Sequence, residues 1–149
     1  MRLRKDAKVS LLARIPLFER CSRRQLAKIA AIAREVDFPA ATPVVKTGER
    51  GSDFFVVVDG EADVRTGARK LATLRAGSFF GEIALVTGSS RTATVTTGTP
   101  MRALVITSRD FHKLLQDSPE LQMKILLEIG KRLEQLSSEQ PQQRVRLRH

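Results

Sequence analysis

The segment from Phe79 to Val95 contains the two side chains that are best suited to bind a ligand. Gly81 and Glu82 stand at the start of a short predicted helical turn, and Arg91 follows nine residues after the glutamate, where a strand begins. An ionised carboxylate accepts hydrogen bonds from sugar hydroxyls, and a guanidinium forms two parallel, charge-assisted hydrogen bonds with a phosphate. This spacing predicts a site for a sugar phosphate.

A cyclic phosphate fits these groups, because its single negative charge is costly to bury without partners. Arg91 supplies the cation, and backbone N–H groups near residues 82–85 supply donors that the helix dipole assists. Gly81 allows the backbone to come close to the sugar, and Glu82 is predicted to accept a hydrogen bond from the ribose 2′-hydroxyl. Three residues are predicted to offer apolar surface to a base: Val64, Ile83 and Val95.

The elements that must position these residues are mostly strands. Between Val36 and Ile106, β-branched residues dominate and glycine or proline recurs at short intervals, which is typical of a small barrel or sandwich. Asp59-Gly60 and Thr66-Gly67 are predicted to form tight hairpin turns. The clearest strands are predicted at 53–58, 61–66, 70–75, 92–97 and 101–107.

Helices are predicted on the N-terminal side of the strands. The pattern indicates a short helix over 7–14, an apolar elbow at 16–18, and a second helix that Ser22 caps. Cys21, the one cysteine, is predicted to serve in packing, because no histidine or acidic partner stands near it.

Two further helices are predicted after the strands. Ser108 is predicted to cap a helix that ends at Leu115. Pro119 fits the first turn of a longer helix that ends near Ser137, and Gly130 interrupts this helix. The long helix carries an apolar stripe of six residues: Leu121, Ile125, Leu126, Ile129, Leu133 and Leu136.

The composition excludes several classes of protein. Of 149 residues, 42% are hydrophobic and 28% charged, and no apolar run is long enough to span a membrane. The N-terminus lacks the apolar stretch of a signal peptide, so we expect a cytoplasmic protein. His112, predicted on the surface, and His149 are too far apart in sequence to suggest a metal site, and no catalytic triad is evident. We therefore expect no enzyme and no metal. The phenylalanines are predicted to be core residues rather than ligand contacts: Phe54, Phe55, Phe79, Phe80 and Phe111.

The net charge of +10 is concentrated at the two ends. Residues 1–34 contain ten Lys/Arg and two Asp/Glu, residues 35–138 contain thirteen of each, and residues 139–149 contain three Arg and one Glu. Basic ends can attract nucleic acid, an anionic membrane or an acidic protein. A solvated surface that aids solubility is the plainer interpretation.

Five short motifs occur in an order and spacing that resemble the cyclic-nucleotide-binding domain. They are Pro-Leu-Phe at 16–18, Gly-Glu-x-Gly at 48–51, Phe-Phe-Val-Val-Val-Asp-Gly at 54–60, Gly-Ser-Phe-Phe-Gly-Glu at 77–82, and Arg-Thr-Ala-Thr-Val at 91–95. This domain occurs in catabolite activator protein, kinase regulatory subunits and nucleotide-gated channels. The match runs from about Leu11 to Leu136, although Ser90 stands where the family often has proline.

The resemblance implies a mainly β fold with flanking helices (α+β), an antiparallel, jelly-roll-like β-roll. One domain at 1–138 would then contain N-terminal helices at 7–34, the β-roll at 36–107 and C-terminal hinge and lid helices at 108–137. Residues 139–149 are predicted to be a basic, disordered tail.

The resemblance also implies that residues 81–92 form a phosphate-binding cassette. In it Glu82 binds the ribose hydroxyl and Arg91 binds the phosphate. Three backbone amides complete the cradle, at Ile83, Ala84 and Thr92.

Two features bear on the base of the nucleotide. The chain has no Trp or Tyr and no Phe after residue 119, so Lys131 and Arg132 are the best candidates to fold over the base, unless both are simply exposed helix charges. Thr92 resembles a threonine that favours cGMP in some kinases, but bacterial cAMP binders also carry serine or threonine there. The bacterial character of the chain favours cAMP.

The sequence thus predicts a cyclic-nucleotide sensor whose C-terminal helices change position on ligand binding, with cAMP or cGMP as ligand, no other cofactor, and an unidentified effector protein. One alternative is an interaction module that has lost its ligand. Another is a DNA-associated regulator that acts through its basic ends, although about eleven residues after the last helix are too few for a helix-turn-helix. The last helix is also a candidate for a homodimer contact.

Overall fold

Eight strands form the centre of the computed structural model, which describes residues 2–51, 53–81, 84–87 and 90–139, without the side chains at 86–87, 132–133 and 135–139. The strands are β1 (Arg34–Phe38), β2 (Pro43–Val45), β3 (Phe54–Asp59), β4 (Ala62–Thr66), β5 (Arg69–Leu74), β6 (Phe79–Phe80), β7 (Thr94–Thr97) and β8 (Met101–Ile106). They make two antiparallel four-stranded sheets, in the orders β1-β8-β3-β6 and β2-β7-β4-β5. Together with the helices around them they form a β-roll with flanking helices.

Five α-helices and one 3-10 helix surround the sheets in the described ranges. They are α1 (Lys5–Ala13), the 3-10 helix (Pro16–Phe18), α2 (Arg23–Ile32), α3 (Ala84–Thr87), α4 (Ser108–Asp117) and α5 (Pro119–Glu139). A membrane-spanning helix is not found among the helices of these ranges, each of which is too short or too polar.

The helix predictions are confirmed except for one cap. Ser22 caps α2, and its side chain and that of Gln25 each bond the other residue's backbone N–H. The prediction that Ser108 caps α4 is wrong, since Ser108 is the first helical residue and Thr107 Oγ1 accepts the hydrogen bond from Asp110 N. Both residues have a hydroxyl, so the local sequence does not separate them. Gly130 lies within α5.

The strand predictions are confirmed for the five clearest strands, but one turn is wrong. Thr66 pairs with Arg69 across a tight turn, as predicted for the β4–β5 hairpin. Asp59-Gly60 does not make a hairpin, because β3 pairs with β6 and β8 whereas β4 pairs with β5 and β7. The turn instead carries the chain from one sheet to the other.

The core lies on both faces of β3. Phe54 and Val56 pack into a cluster with the helices, and Val57 packs between the two sheets. Phe18 of the 3-10 helix lies 6.0 Å from the ring of Phe54 and 6.1 Å from that of Phe111 in α4. Burial of each such side chain contributes about 1.5–3 kcal/mol, so these contacts hold the helices against the roll.

Two smaller predictions concern Cys21 and His112. Cys21 is partly buried against the core, as predicted, and burial raises the pKa of its thiol to about 11. This thiol therefore stays protonated at neutral pH. His112 is exposed, also as predicted, and its Nε2 lies 3.1 Å from the carbonyl oxygen of Leu85.

The apolar stripe of α5 is buried only in part. Leu121 and Ile125 are fully buried and Ile129 packs against the core, whereas Leu126 is 51% exposed. The side chains of Leu133 and Leu136 are not among those that the structure describes. The buried face instead continues to Glu128, which is 2% exposed and bonded to Arg20. Helical spacing identified the stripe but not this polar position, which depends on the surface that α5 meets.

Candidate functional site

A cavity of about 450 Å³ opens beside the sheet β2-β7-β4-β5, where β6 and α3 meet it. Six residues predicted from the sequence line it: Val64, Gly81, Ala84, Arg91, Thr92 and Val95. Val64 and Val95 are direct partners in the β4–β7 pair, so their side chains lie on the same face. The cavity thus combines an apolar wall with one cation, and its size suits a small ligand.

Among the described residues that line this cavity, Arg91 is the charged one, and it is only 9% exposed. Its Nη2 donates to the carbonyl oxygen of Asp53 at 2.7 Å. Its Nε is buried and has no hydrogen-bond partner among the described residues. No carboxylate among the described residues forms an ion pair with Arg91. A buried guanidinium normally has its donors satisfied, so this one retains capacity for an anion.

Two glycines border the Arg91 guanidinium. A Cβ atom on Gly81 would lie 2.7 Å from Nη1 of Arg91 and 2.6 Å from the carbonyl oxygen of Asp53, and Gly81 has a φ of +87°. A Cβ atom on Gly51 would lie 3.2 Å from Nε. Gly81 was expected to make room for a sugar. In the structure, the space that a side chain at Gly81 would fill is occupied by the Arg91 guanidinium.

The loop between β2 and β3 fixes the backbone of Arg91. Gly48 N donates to the carbonyl oxygen of Arg91 at 2.8 Å, and Arg91 N donates to that of Glu49 at 3.0 Å. Arg50 and Ser90 form an isolated bridge beside them. The Gly-Glu-x-Gly motif therefore contacts Arg91, 40 residues later in the chain, on both its backbone and its side chain.

Aromatic rings lie next to the guanidinium. The Phe55 and Phe80 rings stack with centroids 4.6 Å apart and an interplanar angle of 9°. The guanidinium carbon of Arg91 lies 6.0 Å from the Phe55 centroid, which is at the limit of a cation–π contact. Phe79 and Phe80 were expected to be core residues only, but both also line the cavity.

Burial lowers the pKa of the Arg91 guanidinium, and the nearby charge of Asp53 opposes that shift. Arginine keeps its proton at neutral pH even so. The cavity therefore presents a fixed positive charge in a poorly hydrated position, where electrostatic attraction to an anion is stronger than in water.

Several predicted residues lie elsewhere or outside the described part of the chain. Glu82 and Ile83 are not among the described residues, and neither is the side chain of Arg132. Lys131 lies on α5, where its Nζ is 3.6 Å from Glu19 Oε2. None of the described residues of α4 and α5 lines the cavity, so the lid role of Lys131 stays a prediction that requires α5 to move.

Sequence reasoning missed five residues of the cavity wall: Val45, Phe79, Phe80, Ser90 and Ala93. Ser90 and Ala93 flank Arg91 and Thr92, so their position in the chain could have identified them. Val45 gave no comparable signal, because β2 has only three residues and meets Val95 through long-range pairing.

Comparison with known proteins identifies the family. Residues 35–118 match the family described as "Cyclic nucleotide-binding domain", which covers more than half of the chain. The chain belongs to this family. Cyclic nucleotide-binding domains are regulatory rather than catalytic modules, and the match includes the β-roll, α3 and α4.

Relatives of this cyclic nucleotide-binding domain include channels and kinase subunits. It is 37% identical over 111 residues to a cyclic nucleotide-gated potassium channel of Mesorhizobium japonicum, covering 74% of this chain and 31% of the channel. It is 36% identical over 110 residues to a cAMP-dependent protein kinase regulatory subunit of Mycosarcoma maydis, covering 68% of this chain and 21% of the subunit. The chain therefore spans less than a third of these curated relatives.

Two solved structures support the fold. The N-terminal domain of a transcriptional regulator from Streptomyces coelicolor A3(2) has a TM-score of 0.80 at 27% identity, covering 87% of this chain and 94% of that one. A second structure, "Sp-2Cl-cAMPS bound to PKAR CBD2", has a TM-score of 0.64 at 22% identity, covering 85% and 91%. The second likeness bears on the fold alone.

Proposed function

We propose that this domain binds a cyclic nucleotide, cAMP in preference to cGMP, in the cavity around Arg91, and that Arg91 binds the cyclic phosphate. The observation that carries the proposal is the buried guanidinium on the cavity wall, whose Nε has no partner among the described residues. A phosphodiester has two free anionic oxygens that can accept from such a fork.

The energetics favour an anion at this position. Desolvation of a cation is costly, and one carbonyl acceptor on Nη2 recovers only part of that cost. A phosphate oxygen would complete the hydrogen bonds of the guanidinium and neutralise its charge. The unliganded domain thus holds a buried guanidinium whose hydrogen bonds are incomplete. A ligand that completes them gains affinity because the site is already formed.

The other site residues are assigned around Arg91. Glu82 accepts from the ribose 2′-hydroxyl, and Gly81 lies at the sugar. Val64 and Val95 form the apolar wall against the base. Three backbone amides donate to the phosphate: those of Ile83, Ala84 and Thr92.

The preference for cAMP rests on the named relatives. The regulatory subunits of Mycosarcoma maydis and Schizosaccharomyces pombe, 36% and 33% identical, belong to cAMP-dependent kinases. A cGMP-dependent kinase of Plasmodium berghei is 38% identical, but over only 53% of this chain. Thr92 lines the cavity and its hydroxyl suits either ligand, so direct comparison of the two nucleotides is needed.

Ligand binding is proposed to move the C-terminal helices through α3. Leu85 of α3 is fully buried in the same cluster as Phe111 and Leu115 of α4, and its carbonyl oxygen lies 3.1 Å from His112 Nε2. If ligand binding shifts α3, these contacts require α4 to follow or to repack. The shift is limited by the ligand's preference for one arrangement over the other.

Calorimetric titration with cAMP and cGMP tests the proposal. Wild-type protein should bind cAMP more tightly than cGMP, and Arg91→Ala should weaken both by about 30- to 1,000-fold. Arg69→Ala is the matched control, since Arg69 is an exposed arginine on β5 that does not line the cavity. Wild-type protein that binds neither nucleotide, or Arg91→Ala within threefold of wild type, would refute the assignment.

Glu82 has a test of its own. Because its proposed partner is the 2′-hydroxyl, Glu82→Ala should weaken cAMP by roughly tenfold, in line with about 1.5 kcal/mol for a hydrogen bond to a charged group. It should barely affect 2′-deoxy-cAMP. Equal losses for the two ligands would remove the proposed contact.

A second candidate function is regulation of transcription. It is favoured by the likeness to the domain of a transcriptional regulator and by the basic residues within 1–34. A gel-shift titration at low salt distinguishes it, since contacts with phosphates alone are weakened by salt and insensitive to DNA sequence. No shift at low salt would exclude DNA binding by this chain alone.

A further inference from the structure

The helix α5 is tied to the segment around α2 by three polar contacts, which we call the polar clamp. Residues 124, 128 and 131 follow one face of α5, at the spacing of one and two helical turns. Residues 19, 20 and 25 face them from the turn before α2 and from its first turn. The three contacts are Arg20–Glu128 at 2.6 Å, Gln25–Lys124 at 2.8 Å and Glu19–Lys131 at 3.6 Å.

The Arg20–Glu128 pair is the centre of the polar clamp. The Glu128 side chain is 3% exposed, whereas that of Arg20 is 47% exposed. A buried carboxylate without its partner is strongly unfavourable, whereas a half-exposed guanidinium can be solvated by water. The docked position of α5 therefore depends more on Arg20 than on the other members of the clamp.

The polar clamp and the cavity make competing demands on α5. None of the described α5 residues lines the cavity, and Lys131 is engaged with Glu19. Closure of α5 over a bound nucleotide would pull Lys131 from Glu19 and move the helix that carries Glu128. Separation of Lys131 from Glu19 and displacement of Glu128 both raise the free energy that closure requires.

We propose that the polar clamp is a conformational switch that holds α5 away from the cavity and so limits nucleotide affinity. This inference rests on the proposed function, because the nucleotide supplies the competing contacts. If only a fraction of the molecules has α5 released, the apparent dissociation constant rises as the inverse of that fraction. Weakening the clamp enlarges the fraction and tightens binding.

The experiment uses the full chain and the variant Arg20→Ala. Hydrogen exchange of the unliganded variant should be faster in α5 than in wild type, because Glu128 must move to reach water. Its affinity for cAMP should rise by about three- to tenfold. Glu134→Gln is the control, since Glu134 is an exposed carboxylate on α5 outside the polar clamp.

A second variant covers the case in which Arg20→Ala fails to fold. Glu128→Gln removes the charge but keeps an oxygen that can accept from Arg20, so it should change both readouts in the same direction and by less.

The two proposals fail in different ways. If wild type binds cAMP and Arg91→Ala does not, but both clamp variants bind like wild type or more weakly, the switch is wrong and the proposed function stands. If wild type and the clamp variants bind neither cAMP nor cGMP, the proposed function is wrong and the switch is wrong with it.

Discussion

Two buried charges, in two regions of the molecule, have opposite surroundings. Glu128 in α5 is 2% exposed and accepts a hydrogen bond from Arg20 at 2.6 Å. Arg91 at the cavity is 9% exposed, yet its Nε has no partner among the described residues. A buried charge with a well-placed partner is explained by the fold. A buried charge whose donors are partly unused needs a ligand to explain it, which is why the cavity rather than α5 carries the proposed site.

Arg91→Met should give the largest effect. It tests whether the buried charge of Arg91 serves ligand binding or the stability of the fold. Methionine fills similar space without charge, so we expect nucleotide affinity to fall by about 2–4 kcal/mol. The free energy of unfolding should stay the same or rise, since an incompletely paired buried charge is removed. Calorimetry and urea unfolding measure the two quantities. Loss of stability comparable to the loss of affinity would mean that Arg91 is structural.

Glu128→Ala should have the opposite pair of effects, on the stability of the fold rather than on nucleotide binding. We expect the free energy of unfolding to fall by about 2–3 kcal/mol, because a hydrogen bond and buried side-chain volume are lost. Cyclic nucleotide affinity should not fall. Urea unfolding gives the first quantity, with Glu134→Gln as the exposed control. An affinity loss as large as that of Arg91→Met would make the two charges equivalent and remove the contrast.

Gly81→Ala tests the space around Arg91. A Cβ atom there would meet the Asp53 carbonyl oxygen at 2.6 Å, in a backbone conformation with φ of +87°. Gly77→Ala is a close control, since its φ is +91° but a Cβ atom would have nothing within 4 Å. We expect Gly81→Ala to destabilise by about 1–2 kcal/mol more than the control. Equal melting temperatures of the two variants would show that the space around Arg91 is not tightly packed.

Asp37→Asn should have the smallest effect, because it removes an exposed ion pair. A hydrogen bond from Arg102 at 2.8 Å lowers the pKa of Asp37. A lowered pKa in the folded state means that the stabilisation is present above the unfolded pKa and is lost as pH falls through the folded one. Wild type should therefore melt slightly higher than the variant at pH 7, and the difference should shrink as the pH falls below the ordinary carboxyl range. A difference that persists in acid would require another cause.

The sequence predicted the parts of the molecule that depend on local pattern. Arg91 and the apolar pair Val64 and Val95 were identified from residue type and from their place on the predicted strands around the site, and all three line the cavity. The cap at Ser22 followed from its residue type and its place before the helix, and it is confirmed.

Local sequence patterns do not specify which distant residues a strand or helix will contact. Asp59-Gly60 was assigned to a hairpin because its turn residues suit one, but the two adjoining strands enter different sheets. Leu126 fits the helical stripe, yet α5 meets a polar segment and buries Glu128 instead. Val45 reaches the cavity only because β2 pairs with β7. In each case the deciding contact is made by residues distant in sequence.

A crystal structure of the wild-type protein with bound cAMP tests the central claim most directly. We predict that the cyclic phosphate lies in the cavity beside β7, with two phosphate oxygen contacts from the Arg91 guanidinium at about 2.7–2.9 Å. A nucleotide bound elsewhere, or a phosphate that leaves Arg91 bonded only to Asp53, would contradict the account.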